Sequence, residues 1–352
     1  MPTATGGASA RLRAVLAHTG PAWVAAAAAS RQEGSPRSPS ADLELFIRAL
    51  REMHPATTRY TPPEEMDRLF EDARATVNDG TTLCELEAVL ETIVCRVGCG
   101  HTRLQPGQEE QGRRLTELLC LPLSVRFVDE RAYVLADLGG GEIPPGSEIL
   151  ELDGKPMADV LEALLERITG DGSIRTGRID TLNGTANPDN PTGSFPERYA
   201  LLCGSSGREQ YAVRYLPPGG AGLHDQRPAP QATVAGQPLS AWAEYKSEES
   251  DEAPLLELTH PAPNVGLLRV GSFWHKGWEE PSWEEGGYAQ FMAASFQELA
   301  DRRTEALIID VRQNGGGTDT FGSMLLGYLL DEPFTCELPA SHSLARKCTA
   351  RL

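Results

Sequence analysis

The stretch ALIIDVRQNGGGTDTFGSMLLGYLL, residues 306–330, constrains the fold more than any other part of this sequence. It begins as an almost uninterrupted apolar run, passes through three consecutive glycines and continues with a helical pattern. An apolar run without a polar break is typical of a strand that is covered on both faces. The sequence therefore predicts a buried strand over 306–312, a glycine turn, and a helix directly after it.

The residues before this stretch predict the same alternation. VGLLRVGSFW, residues 265–274, has the pattern of an apolar strand, and GGYAQFMAASFQELADRR, residues 286–303, has that of an amphipathic helix. Strand, helix, strand and helix at these lengths indicate a right-handed crossover and parallel pairing of the two strands. The C-terminal part of the chain is therefore predicted to be an α/β layer.

Gly315, Gly316 and Gly317 lie where such layers bind ligands, beyond the carboxyl end of a strand. Glycines permit positive φ and let a ligand approach bare backbone N–H groups. The following helix adds its positive N-terminal end, with Thr318 or Asp319 as the cap. The turn is therefore suited to hold negative charge.

Two phosphate interpretations of this turn fail on particular residues. A dinucleotide fingerprint needs a third glycine where Thr320 stands, and too little chain follows for the rest of that fold. A P-loop needs Lys-Ser/Thr where Ser323-Met324 stands. An oxyanion from acyl transfer, held by backbone N–H groups, is contradicted by no residue. A turn that only packs the helix on the strand remains the alternative.

The remaining pattern divides the chain into five segments. These are a leader or disordered segment (1–40), an N-terminal helical domain (41–115), a strand-rich region (116–215), a Pro/Gly/acidic linker (216–254) and the α/β core (255–352). The leader has arginines, then apolar and then small residues, which is the order of a secretory signal. His18 to Pro21 interrupt it. The pattern favours a periplasmic or secreted location and leaves a cytoplasmic one open.

Composition excludes several classes of function. The 352 residues carry a net charge of −18, so the basic footprint of a nucleic-acid binder is absent. No stretch approaches the ~20 apolar residues of a membrane span. The seven cysteines are scattered and odd in number, which indicates buried or half-buried thiols rather than a disulfide framework. Cys95, Cys99 and His101 match no common zinc spacing. The sequence therefore predicts no metal and no cofactor.

His101 is the second candidate for chemistry. In VGCGHTRL, residues 97–104, it follows glycines at the exit from a predicted helix. A histidine in such a place exchanges protons near neutral pH and can act as the general base for a serine. A surface or helix-capping histidine is the alternative. Local sequence patterns alone do not connect His101 with the glycine turn.

The order of these motifs resembles that of a known family. DVRQNGGG and GHTRL are the specific parts, and REMHP, LPLSVRF, IPPGSEILELDGKPM and GDG lie between or before them. Over about 42–330 the chain resembles the tail-specific (C-terminal processing) serine peptidases, in their tricorn-core-like branch that uses a histidine base. The resemblance implies an α+β and α/β multidomain fold. Its parts would be the helical region, a PDZ-like β/α segment and an incomplete crotonase-like α/β peptidase core.

The resemblance also implies a role for particular residues. His101 would be the general base, and the N–H groups of Gly315, Gly316 and Gly317 would form part of the oxyanion hole. The PDZ-like segment around Ile149, Leu150 and Leu152 would receive an extended peptide by strand addition. The implied substrates are peptides or unfolded protein tails.

The sequence departs from the family pattern in two places. Cys99 stands where the family often has an acid before Gly-His-Thr. No serine stands where the family places its nucleophile, well after the glycine turn. Ser323 precedes that position inside the next helix, and Ser341 and Ser343 fall too early. The sequence predicts a serine-type peptidase that is inactive in this incomplete form. The alternative is a non-catalytic protein that binds peptides through the PDZ-like segment.

Overall fold

The computed structural model describes residues 12–16, 38–106, 108–184, 194–202, 208–219, 229–248, 254–278, 282, 285–312, 314–332 and 334. The chain divides into two compact units, residues 1–249 and 250–352, and each is described by itself. Both units combine helices and strands, so the predicted mixed α/β class is confirmed. Of the predicted leader, only residues 12–16 and 38–40 belong to the described part.

The described residues of the first unit form helices and strands in the following chain order. The helices are α1 (Pro39–Met53), α2 (Pro63–Thr76), α3 (Leu83–Val97), α4 (Gln108–Glu117), α5 (Met157–Leu165), α6 (Arg175–Leu182), α7 (Phe195–Leu202) and α8 (Leu239–Glu248). The strands are β1 (Leu12–Leu16), β2 (Thr102–Pro106), β3 (Leu119–Cys120), β4 (Leu123–Val128), β5 (Arg131–Asp137), β6 (Glu148–Leu152), β7 (Lys155–Pro156), β8 (Gln210–Leu216), β9 (Gln231–Ala235) and β10 (Gln237–Pro238).

Helices α1, α2 and α3 pack into the predicted helical region. Their apolar faces, including Ile47, Phe70 and Ile93, are buried in one cluster. Burial of each such side chain contributes about 1.5–3 kcal/mol. Helix α3 begins with a capping box in which Thr82 and Glu85 satisfy each other's backbone N–H groups. The sequence signals for these three helices therefore agree with the observed burial of their apolar faces.

An antiparallel sheet with the strand order β4-β5-β6-β8-β9 forms the centre of the first unit, and β7 pairs with β6. Asp129 and Glu130, both at positive φ, make the two-residue turn of the β4–β5 hairpin predicted from the sequence. Apolar side chains of α5 and α7 pack on the sheet in one buried cluster. This cluster is the larger core of the unit.

The segment predicted as a linker, 216–254, contains regular structure. Strand β9 pairs with β8, strand β10 pairs with β3, and α8 follows. Trp242 of α8 is buried with Leu118 and Cys120. The Pro, Gly and acidic composition did not reveal these elements, because they become ordered by tertiary contacts: β9 pairs with the preceding strand β8, and β10 pairs with the distant strand β3. The prediction of a loop or linker is therefore wrong for residues 231–248.

Burial of Glu197 in α7 leads to a pH-dependent stability. Burial raises the pKa of Glu197 from 4.5 to about 7, against the attraction of Arg198 and Arg114. Between these two values the unfolded chain loses a proton that the folded chain keeps, so stability falls as pH rises through this window. The shift corresponds to about 3 kcal/mol.

We expect Glu197→Gln to remove this dependence. At pH 8 the variant should unfold at a higher urea concentration than the parent chain, and at pH 4 the two should unfold together. Glu166→Gln, at an exposed carboxylate, is the matched control and should leave the pH profile unchanged. Equal profiles for Glu197→Gln and the parent chain would refute the assignment.

The second unit is built from β11 (Leu256–Ala262), β12 (Val265–Val270), α9 (Gly287–Asp301), β13 (Ala306–Asp310) and α10 (Asp319–Leu329). Strand β12 pairs antiparallel with β11 and parallel with β13, which confirms the predicted parallel pairing. Side chains of both helices, including Met292 and Phe321, are buried with Leu268 and Val270 of β12. The α/β layer is therefore present as the sequence predicts.

Strand β13 is not covered on both faces within the described residues. Ile308 is 52% exposed, whereas Leu307 and Ile309 pack partly against the helices. Strand β13 is also the outer strand of the described three-stranded sheet. The prediction of a strand covered on both faces is therefore wrong for this part of the chain.

Among the described helices, none combines the length and the apolar character that a membrane-spanning segment needs.

Candidate functional site

His101 lies exposed in a tight turn between α3 and β2. Helix α3 ends at Gly98, whose φ of 67° is left-handed and whose N–H donates to Cys95 O (3.1 Å). A Cβ at Gly98 would lie 2.9 Å from the Tyr60 ring, so only glycine fits there without displacing that ring. The Thr102 N–H then donates to Cys99 O (2.9 Å) and closes the turn around His101.

Asp171 approaches His101 from the loop between α5 and α6. The Gly100 N–H donates to Asp171 Oδ1 (2.7 Å), and the Gly172 N–H donates to Gly98 O (2.8 Å). A ring nitrogen of His101, Cys99 Sγ and a carboxylate oxygen of Asp171 all lie within 4.8 Å of one another. A carboxylate at this distance stabilises the imidazolium that forms when a histidine accepts a proton.

Sequence reasoning missed Asp171. The residue stands in GDG, residues 170–172, which belongs to the family-like pattern but received no role. Cys99 replaces the acid expected just before Gly-His-Thr, and Asp171 supplies a carboxylate to the same turn from 71 positions away. No local pattern reveals a contact of that separation.

Cys95 does not belong to this group. Its thiol is buried and donates to Ile168 O (3.3 Å). The four described cysteines, Cys84, Cys95, Cys99 and Cys120, are free and buried or half-buried, as the sequence predicts. Cys203, Cys336 and Cys348 lie outside the described residues.

The glycine turn of the second unit is held by a short parallel bridge to Phe273. The Phe273 N–H donates to Gly316 O (2.9 Å), and the Thr318 N–H donates to Phe273 O (2.8 Å). Gly316 and Gly317 have φ values of 99° and 145°. A Cβ at Gly317 would lie 2.3 Å from the Phe273 carbonyl, so a side chain there cannot coexist with the bridge.

The three glycines differ in what their N–H groups contact. The Gly316 N–H donates to Asn314 Oδ1 (2.8 Å). The N–H groups of Gly315 and Gly317 donate to no residue that the structure describes, and both residues are exposed. Thr318 is the N-cap of α10 but makes no side-chain capping bond. Of the predicted oxyanion donors, Gly315 and Gly317 are therefore the two whose N–H groups have no acceptor among the described residues.

Polar side chains fix the chain on its way into the glycine turn. Asp310, the last residue of β13, accepts hydrogen bonds from the Arg312 N–H (3.0 Å) and guanidinium (2.7 Å). These bonds hold the pKa of Asp310 well below its usual range. Asn314 Nδ2 donates to Val270 O at the end of β12 (2.9 Å). The turn is therefore anchored to the carboxyl ends of both parallel strands.

Ser323 is buried inside α10, with 7% of its surface exposed. A serine in that position cannot reach a peptide carbonyl, which agrees with its rejection as the nucleophile on sequence grounds. Ser341 and Ser343 lie outside the described residues.

Ile149, Leu150 and Leu152 lie on β6 in the middle of the first unit's sheet. Ile149 and Leu152 are fully buried, and Leu150 is half-buried. Strand β6 pairs with β8 on one side and with β5 and β7 on the other. Strand addition needs an unpaired edge, and β6 has none. The predicted direct contact of these residues with a peptide therefore does not fit the geometry.

His101 belongs to the first unit and the glycine turn to the second. The structure describes each site within its own unit. Their cooperation on one substrate, which the family resemblance implies, stays a prediction.

Comparison with known proteins gives a family match for the second unit. Residues 264–337 match the sequence model of peptidase family S41. This range contains β12, β13 and the glycine turn, and it does not contain His101. The second unit is therefore similar to peptidase family S41 over the range that contains the glycine turn. A search of curated proteins finds no match.

Two crystal structures of CPAF resemble this chain. A CPAF mutant matches with a TM-score of 0.52 and 16% identity, covering 85% of this chain and 60% of that chain. Mature CPAF matches with a TM-score of 0.47 and 16% identity, covering 85% and 59%. At this identity the first likeness concerns the fold alone. The chain spans less than two thirds of the length of either CPAF chain.

Proposed function

We propose that this chain is part of a serine-type peptidase of the tail-specific family, acting on peptides or unfolded protein tails. The observation that carries the proposal is the match to peptidase family S41 over the residues that form the glycine turn. The N–H groups of Gly315 and Gly317 support it, because both residues are exposed, neither N–H donates to a described residue, and oxyanion holes are built from such donors. The PDZ-like and crotonase-like descriptions of the two units belong to the same proposal.

The proposed reaction is acyl transfer. A serine hydroxyl attacks the peptide carbonyl, and His101 accepts the hydroxyl proton as the C–O bond forms. Backbone N–H groups of the glycine turn hold the oxyanion of the tetrahedral intermediate. The intermediate then expels the amine, which takes the proton from the imidazolium, and water hydrolyses the acyl-enzyme by the same route.

We expect the 352-residue chain alone to show no peptidase activity. Ser323, the first serine after the glycine turn, is buried inside α10, and removal of a nucleophile typically lowers kcat by about 10⁶. The assay is cleavage of a fluorogenic peptide library, with an active serine peptidase as the positive control. Cleavage that disappears in Ser323→Ala would contradict the prediction, because it would place the nucleophile inside α10.

A peptide-binding protein without catalysis is the second candidate. Its supporting observation is the antiparallel sheet of the first unit, in which β4 and β9 are the outer strands among the residues that the structure describes. A peptide would add to such a strand through its backbone. Peptide binding measured by fluorescence anisotropy, together with no labelling by a serine probe in any product of the gene, would favour this candidate. The extracytoplasmic location remains a proposal drawn from the leader pattern.

A further inference from the structure

We propose that Cys99, His101 and Asp171 form a binding site for Zn²⁺. Three ligand atoms of three different types, a thiol sulfur, an imidazole nitrogen and a carboxylate oxygen, lie within 4.8 Å of one another. Ligands of a tetrahedral zinc ion are about 3.5 Å apart, given bond lengths of about 2.0–2.3 Å. Small side-chain rotations therefore bring the three atoms to bonding distance without movement of the backbone.

The backbone under the site is already fixed. Three hydrogen bonds join the two chain segments and close the turn, namely Gly172 N–H to Gly98 O, Gly100 N–H to Asp171 Oδ1, and Thr102 N–H to Cys99 O. A Cβ at Gly100 would lie 3.2 Å from Asp171 Oδ1, so glycine permits the close approach of the carboxylate. The bond to Gly100 engages only one carboxylate oxygen and leaves the other for a metal.

The chemistry of the ligands selects the ion. A thiolate with an imidazole and a carboxylate suits zinc, whereas magnesium and calcium prefer oxygen ligands alone. On binding, the Cys99 thiol releases its proton to solvent and the sulfur donates an electron pair to the metal. His101 and Asp171 are exposed, so the ion has a direct path from solvent. Three protein ligands leave a fourth position for water.

Zinc binding does not depend on the proposed peptidase activity, although both would use His101. An imidazole whose nitrogen binds zinc cannot accept a proton from a serine. If both proposals are correct, bound zinc prevents His101 from acting as the general base, and a chelator that removes the zinc restores this role. The binding measurement below needs no activity, so failure of the zinc site and failure of the peptidase proposal are distinguishable.

The test is a titration of the full 352-residue chain with Zn²⁺ against a chromophoric chelator. We expect Cys99→Ser, His101→Gln and Asp171→Asn each to weaken zinc binding at least about tenfold. Loss of a residue that only supports a metal ligand already lowers metal affinity by about 10–100-fold. Asp171→Asn keeps an oxygen that accepts the Gly100 N–H, so the turn stays folded while the carboxylate is lost. Circular dichroism of each variant checks the fold.

The matched controls are Cys84→Ser, His275→Gln and Asp159→Asn, which replace the same residue types elsewhere in the described chain. These three variants should bind Zn²⁺ as the parent chain does. Replacing Zn²⁺ with Co²⁺ should give a thiolate-to-cobalt absorption band that is lost in Cys99→Ser. Unchanged binding in any of the three site variants, or a cobalt band that persists without Cys99, would overturn the proposal.

Discussion

Gly317→Ala is expected to destabilise the second unit by about 3 kcal/mol or more. The added Cβ would meet the Phe273 carbonyl at 2.3 Å and the Trp274 nitrogen at 2.6 Å. The φ of 145° adds strain for any residue other than glycine. The parallel bridge between Phe273 and Gly317 must therefore break, and the glycine turn moves with it. Urea unfolding followed by tryptophan fluorescence measures the loss.

Gly322→Ala is the matched control for this substitution. Gly322 lies inside α10, and a Cβ there would meet nothing within 4 Å. Alanine is the better helix former by about 1 kcal/mol, so the control should raise stability slightly. A Gly317→Ala variant as stable as the parent chain would show that the turn does not have the described backbone.

Arg114→Met is expected to cost the first unit about 3–5 kcal/mol. The Arg114 guanidinium lies on α4 and pairs with the carboxylates of Glu87 and Glu110, and all three side chains are buried. Methionine fills a similar volume, but it removes the cation that Arg114 gives to the buried Glu87 carboxylate and leaves the buried Glu110 carboxylate with Arg113 alone. Chemical unfolding of the variant measures the loss, and addition of Glu87→Gln should recover part of it.

The neighbouring Arg113 provides the control. It pairs with Glu110 and Glu117, but its side chain is 52% exposed. Exposed ion pairs contribute about 0–1 kcal/mol, so Arg113→Met should lower stability by less than about 1 kcal/mol. Similar losses for Arg113→Met and Arg114→Met would mean that burial does not set the cost of removing the cation.

Local patterns predicted much of the fold. The three N-terminal helices, the β4–β5 hairpin and the parallel β12–β13 pair follow from periodicity, turn residues and crossover length. Each of these signals is contained in a short stretch of sequence. The elements of residues 231–248 were missed because the composition of their surroundings indicates a loop, and only pairing with β8 and β3 makes them ordered.

The candidate site could be predicted only in part, because some of its residues stand in local motifs and others are brought in by distant contacts. His101 and the glycine turn stand in distinctive local motifs, whereas Asp171 reaches the histidine turn through a contact between distant residues. The occupied N–H of Gly316 depends on the orientation of Asn314, which sequence does not show. The pairing of both edges of β6 likewise requires knowledge of the sheet order. These three features depend on tertiary contacts, so no local sequence pattern predicts them.

The most direct test of the proposed function is labelling with a fluorophosphonate probe, applied to the 352-residue chain and to the longest product that the gene encodes. We expect no label on the 352-residue chain, and on the longer product we expect a label that is lost in His101→Gln and kept in His275→Gln. A label on the 352-residue chain, or one that survives His101→Gln, would contradict this expectation.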